Sequence, residues 1–155
     1  MTLAVDITIT KDELLQALQD PGLIEVPLKD FLYRSALTVE GQAKMLAPVD
    51  TGRLRASITT FLEPRRAMVS ATAFYAPYVE YGTRPHFPPV SALRPWAKRH
   101  GNMSAWALAR AIARRGTRPH PFMAPGARAS LSSIQGFLSD MAEDIATRWR
   151  AAKHG

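Results

Sequence analysis

The sequence predicts a single α+β domain: a small, mainly antiparallel sheet with a β-hairpin, packed against one long helix and a C-terminal helix. Three observations predict it. Apolar stripes at helical spacing run through residues 28–46 and 131–149, and between them two β-rich runs flank the turn Glu63-Pro64-Arg65-Arg66. A chain of 155 residues, 46% hydrophobic and 21% charged, fits one domain over residues 1–155 with a packed core.

Residues 3–9 alternate Leu3, Val5, Ile7 and Ile9 with Ala4, Asp6 and Thr8, the period of a half-buried strand. Thr10 then caps a short helix over residues 11–19, which Pro21-Gly22 should stop. Pro27 suits the first turn of the long helix, whose Leu28, Phe31, Leu32, Ser35, Val39, Ala43 and Leu46 share a face. Residues 56–62 and 67–74 make the hairpin, and Pro77 and Gly82 bracket one tight helical turn at 78–81. Arg84-Pro85-His86-Phe87-Pro88-Pro89 reads as a stiff extended arm. Ser91 caps a helix to His100 that tolerates Pro95 in its first turn. A second helix over 103–115 should bury Trp106, Ala109, Ile112 and Ala113 before Gly116 ends it. The last helix starts near Pro125 and aligns Leu131, Ile134, Leu138, Met141, Ile145 and Trp149.

Charge is segregated along the chain. No acid lies between Glu80 and Asp140, whereas Arg84, Arg94, Lys98, Arg99, Arg110, Arg114, Arg115, Arg118 and Arg128 all do, so this stretch carries +9. The rest has eleven basic and thirteen acidic groups, a net of −2. An extended basic loop and helix segment at 81–128 is therefore set apart from the rest of the domain. Its arginines suit phosphate, an acidic protein neighbour or plain solvent. Within it Gly82-Thr83-Arg84-Pro85-His86 recurs as Gly116-Thr117-Arg118-Pro119-His120. Two copies without matching flanks make a repeated loop and not a solenoid. Each copy starts a stiff arm, and Phe87 and Phe122 just beyond would be apolar anchors for a neighbouring subunit.

Enzyme function has no positive support, and no cofactor or catalytic residue is assigned. The chain has no cysteine and four scattered histidines, which leaves no evident metal site. No phosphate-binding glycine loop or nucleophile elbow is present. Asp50-Thr51-Gly52 is the tripeptide of aspartic proteases, a remote alternative, but Arg53-Leu54-Arg55 follows where that chemistry wants apolar residues. Asp50 is better read as a structural cap accepting backbone N–H bonds, paired with Arg53 or Arg55. Glu80, between Tyr78 and Tyr81, is expected in a structural ion pair with an arginine. No apolar run is long enough to span a bilayer and the first residues lack a secretory pattern, so the expectation is a soluble protein made inside the cell.

Two blocks carry a family resemblance. The first is Ala43-Lys44-Met45-Leu46-Ala47-Pro48-Val49-Asp50-Thr51-Gly52-Arg53-Leu54-Arg55-Ala56-Ser57-Ile58, and the second is Tyr75-Ala76-Pro77-Tyr78-Val79-Glu80-Tyr81-Gly82-Thr83 with the following Arg-Pro-His. In this order, with Pro121-Phe122-Met123-Ala124-Pro125 before a terminal helix, the chain resembles the neck, or head-to-tail joining and tail-completion, proteins of long-tailed double-stranded DNA phages. The resemblance covers about residues 29–152. It implies a non-enzymatic virion protein, made and assembled in the bacterial host cytoplasm, that forms a homo-oligomeric ring between the head connector and the tail. Adjacent head-completion and tail proteins would be its partners, and phage DNA would pass through its lumen. The family motif positions carried over are Asp50, Thr51, Gly52, Leu54, Arg55 and Ser57, then Tyr75, Tyr78, Glu80, Tyr81, Gly82 and Thr83. The alternative reading is a small basic protein that binds DNA without sequence preference.

Overall fold

The computed structural model describes residues 20–154. The strand expected at 3–9 and the helix expected at 11–19 lie outside the described residues. Helix α1 spans Pro21–Leu46, followed by a single turn α2, Arg53–Ala56. Strands β1, Ile58–Glu63, and β2, Arg66–Ala71, form the hairpin, with Ile58 opposite Ala71 and Glu63 opposite Arg66. Helix α3 is Ala76–Tyr81, α4 Val90–Arg99, α5 Ala105–Arg115, α6 Met123–Ala129 and α7 Leu131–His154. The α+β class is the one the sequence predicts: an antiparallel hairpin on a long helix, with the C-terminal helix packed alongside.

The long helix starts six residues earlier than the sequence reading placed it. Asp20 caps it, accepting from Gly22 N at 2.8 Å, and Pro21 takes the first helical position, where its missing N–H costs nothing. Pro27 is thus inside the helix, not at its start, and is buried. Arg148 of α7 donates to Gly22 O at 3.3 Å, and Arg34 of α1 reaches Asp140 at 2.9 Å, so α1 and α7 run antiparallel. The guanidinium of Arg34 also lies over the Phe137 ring, 4.2 Å from its centroid.

The core sits where α1, α2, β1 and α6 converge, on Ala43, Ala47, Leu54, Ile58, Ala76 and Phe122. Small residues dominate because backbones approach closely. A Cβ on Gly126 of α6 would stand 2.8 Å from Ala43 N, so only glycine lets α6 lie against α1 here. The single C-terminal helix expected from Pro125 is two helices. Ser130 is buried at the break and donates its hydroxyl to Gly126 O at 2.8 Å, competing with the helical ladder. Leu46, Leu131 and Leu138, expected on buried stripes, are exposed at the rims of their helices. Trp106 is exposed as well, packed against Phe87 in place of the core.

Helices α4 and α5 pack chiefly against each other. The chain leaves the core after α3 and returns before α6, and residues 84–116 make an excursion that we call the arm. No helix among the described residues is long and apolar enough to cross a membrane.

Candidate functional site

Both resemblance motifs and both copies of the repeat meet around one cleft of about 660 Å³ between the core and the arm. Asp50, Thr51, Gly52 and Leu54 line one wall and Tyr75, Tyr78 and Val79 the next. Thr83, His86, Thr117, Arg118 and His120 form the floor loops, and Trp96, His100 and Ile112 come from the arm.

The first wall is a tight turn. Gly52 has φ 79°, a left-handed conformation that favours glycine, and it accepts Ala56 N at 2.9 Å to open α2. Leu54 is thereby driven into the core, while Arg53 and Arg55 point to solvent. Ser57 closes the turn by donating Oγ to Leu54 O at 2.7 Å. Asp50 does not cap this turn, and its partner is neither Arg53 nor Arg55. Arg99, at the end of α4, grips it with two parallel hydrogen bonds, Nε to Oδ1 at 2.9 Å and Nη2 to Oδ2. The fork of arginine matches a carboxylate, and this pair ties the arm to the first motif. The Arg99 hydrogen bond is the largest influence and holds the Asp50 carboxyl below the usual range against the opposing effect of desolvation, with smaller help from the charges of Arg99 and of His100 at 3.9 Å. Asp50 in turn raises the pKa of Arg99. A proton-sharing aspartic dyad needs a second carboxylate facing the first, and a carboxylate kept ionised by a bidentate arginine does not suit that role.

Glu80 is buried, and its partners are not arginines. Its carboxylate receives Phe122 N at 2.7 Å, Met123 N at 3.0 Å and Ala124 N at 3.1 Å, the open amides at the start of α6. Burial is the largest influence on its pKa and pushes it up, but the three N–H bonds together outweigh burial and hold it below the usual range. This cap fixes the chain's return from the arm. It also seats Phe122, which is 1% exposed and belongs to the core; it is not an interface anchor. Pro121 is followed directly by the helix start, which turns the phenylalanine inward.

The repeat is a clasp. Thr83 and Thr117 face one another as an antiparallel bridge, each N–H donating to the other's carbonyl at 3.2 Å, with the two hydroxyls 3.1 Å apart. Gly82 and Gly116 flank it with φ 70° and 68°, and a Cβ on either would collide with the carbonyl of the opposite threonine. The two stems of the arm are therefore pinned by the Gly-Thr halves, and His120 N adds a bond to Val79 O at 2.8 Å. The Arg-Pro-His halves, Arg84 to His86 and Arg118 to His120, are exposed.

Of the nine cations in the acid-free stretch, only Arg99 has a carboxylate within ion-pair distance among the described residues. Arg94 and Lys98 lie on α4, and Arg110, Arg114 and Arg115 on α5, all exposed. Arg84 and Arg118 flank the clasp, while Arg128 lies apart on α6. Apolar surface accompanies them: Phe87 packs its ring 5.6 Å from Trp106, and both are more than half exposed, as are Tyr78 and Tyr81. No group of three metal-ligating side chains occurs among the described residues. No model of a protein family, no curated protein and no solved structure matches the chain.

Proposed function

We propose that this chain is a structural subunit that acts by assembly, using the arm to join neighbouring subunits. More particularly, it is a neck or tail-completion ring protein of a long-tailed phage, joining the head connector to the tail and letting DNA pass. The ring and the virion come from the sequence resemblance. What supports the assembly role is one observation: an arm pinned at its base by the Thr83–Thr117 clasp and at its middle by the Asp50–Arg99 pair carries six cations with no carboxylate partner among the described residues, beside exposed Phe87 and Trp106. A pinned base keeps the arm in one orientation, so little conformational freedom is lost when it docks. Aromatic and arginine side chains are the residues that anchor interfaces. Partners of this surface are a second copy of the chain, the adjacent head-completion and tail proteins, and the DNA backbone, which basic rims attract without reading sequence.

Cryo-electron microscopy of the purified full chain tests this reading. A closed ring with arms at the subunit contacts is the expected image. A monomer at tens of micromolar that binds duplex DNA with steep salt dependence would favour the small DNA-binding protein instead.

A further inference from the structure

We propose that the cleft between the core and the arm docks an acidic peptide segment with apolar side chains, supplied by a different protein. The inference names the partner chemistry of that site; it rests on the assembly reading for the source of the peptide but not for the binding itself. At about 660 Å³ the cleft is in the size range of sites that enclose a ligand. Much of its lining is apolar, with Val49 beside the first motif, Val79 on α3, and Leu93, Trp96 and Ile112 from the arm. Its ionisable side chains are otherwise basic: Arg118, His86, His100 and His120 line it, and the one carboxylate of the lining among the described residues, Asp50, is already taken by Arg99. Arg84 joins them through a smaller hollow that shares Tyr78, Thr83 and His86 with the cleft. Neither Arg84 nor Arg118 has a carboxylate within ion-pair distance among the described residues.

Charge and surface together select the occupant. Carboxylates answer the two arginines, whose forked donors match them, and apolar side chains fill the space against Leu93, Val79 and Ile112. Nucleic acid fits less well. A duplex is too wide for a cleft of this size, and a single strand wants open aromatic faces, whereas one face of Trp96 is covered by the His100 ring, 4.2 Å away and 14° from parallel. A second copy of this chain fits less well too. Asp30, Glu40, Asp140 and Asp144 are held by cations of their own subunit, and Glu80 is buried against amides. The acid at the exposed hairpin tip, Glu63, stands opposite Arg66 in the register. The walls need no rearrangement to receive a guest, because the Thr83–Thr117 clasp and the Asp50–Arg99 pair already fix the arm against the core.

Calorimetric titration of the full chain tests the proposal. The probes are a panel of blocked hexapeptides in which glutamate or aspartate alternates with leucine, phenylalanine or tyrosine, each paired with its glutamine or asparagine counterpart, and an oligothymidylate. Acidic members should bind about tenfold more tightly than their neutral counterparts, and the margin should shrink as salt is raised. Val49→Asp and Arg118→Ala both alter exposed lining residues, so circular dichroism should stay unchanged while affinity falls about fivefold or more. Arg110, exposed on α5, lies outside the lining, and Arg110→Ala should bind as the unaltered chain does. An equal loss in Arg110→Ala would mean that the peptides follow overall charge and would overturn the proposal, as would no binding by any acidic member or tighter binding of the oligothymidylate. Mass photometry at saturating peptide separates this inference from the assembly reading. Any oligomer should persist, and its dissociation to monomers would make a second copy the occupant and overturn the choice of a different protein. A chain that stays monomeric yet binds acidic peptides through Val49 and Arg118 would support the proposal while the assembly reading fails.

Discussion

On α1 and α7 most charges find a partner within the chain, whereas in the arm, Arg99 apart, the cations have no carboxylate partner among the described residues. Arg34 bridges Asp30 and Asp140, Lys44 holds Glu40, Arg148 grips Asp144 with two bonds of 3.0 Å, and Glu80 caps α6. Glu40 is further held by the Thr60 hydroxyl from β1, so the hairpin is bonded to α1 by a side chain as well as by packing. In the arm, Arg94, Lys98, Arg110, Arg114 and Arg115 have no such partner among the described residues. The core's interactions serve the fold of one subunit. The arm's exposed cations contribute little to that fold, and an external surface is what they suit.

The comparison can be broken at the joints between the two regions. Replacing Glu80 by Ala should have the largest effect, about 3 to 5 kcal/mol of stability in urea unfolding, because three amides at the start of α6 lose a buried charged acceptor. Glu80→Gln keeps one acceptor oxygen and should fall between the two. Gly116→Ala should come next, at about 2 to 3 kcal/mol, since a left-handed φ and a clash with the Thr83 carbonyl act together. Hydrogen exchange should show the amides of Thr83 and Thr117 losing protection while α1 keeps it.

Acid should act on the core before the arm. Glu80 and Glu40 have folded-state pKa values below their ordinary 4.5, so the stability they contribute is present above that pH. It is lost as pH falls below 4.5 and through the lowered folded values, because the unfolded chain binds protons first. Denaturant midpoints measured from pH 6 to 3 should decline through this window, and the decline should be shallower in Glu80→Gln. The smallest effect belongs to Asp50→Ala. Its ion pair is exposed, so global unfolding should change little, while amide exchange at Arg99 and His100 should speed as the arm loosens. A large global loss would mean that Asp50 has a structural role its geometry does not display.

How much of this was legible in the sequence depends on how far apart the partners lie. The hairpin was readable because Glu63 to Arg66 is a local turn between β-rich runs, and the basic excursion was readable as a charge imbalance. Both Pro21 and Pro27 satisfy the local rule for a helix start, and only the Asp20 cap together with packing on α7 selects the first. Glu80 meets Phe122 across 42 residues and Asp50 meets Arg99 across 49, so neither partner leaves a trace in local pattern. The Gly-Thr-Arg-Pro-His repeat was visible as a repeat. Two glycines placed for close backbone approach are the local signal that its Gly-Thr halves bind each other, whereas the arginines beside them suggest only outward contacts. Phe122 reads as an outward anchor for the same reason: it follows an exposed Arg-Pro-His, and the helix start that turns it inward is set by Glu80.

The central claim, that the arm joins subunits while the core folds alone, is tested most directly by mass photometry of the full chain and of its Arg84→Glu/Arg118→Glu variant. Both arginines are exposed beside the clasp and take no part in the core, so circular dichroism and the urea midpoint should stay unchanged. The account predicts a closed oligomer for the unaltered chain and a monomer for the variant. Identical oligomers for both, or a monomer for the unaltered chain at every concentration tested, would contradict it.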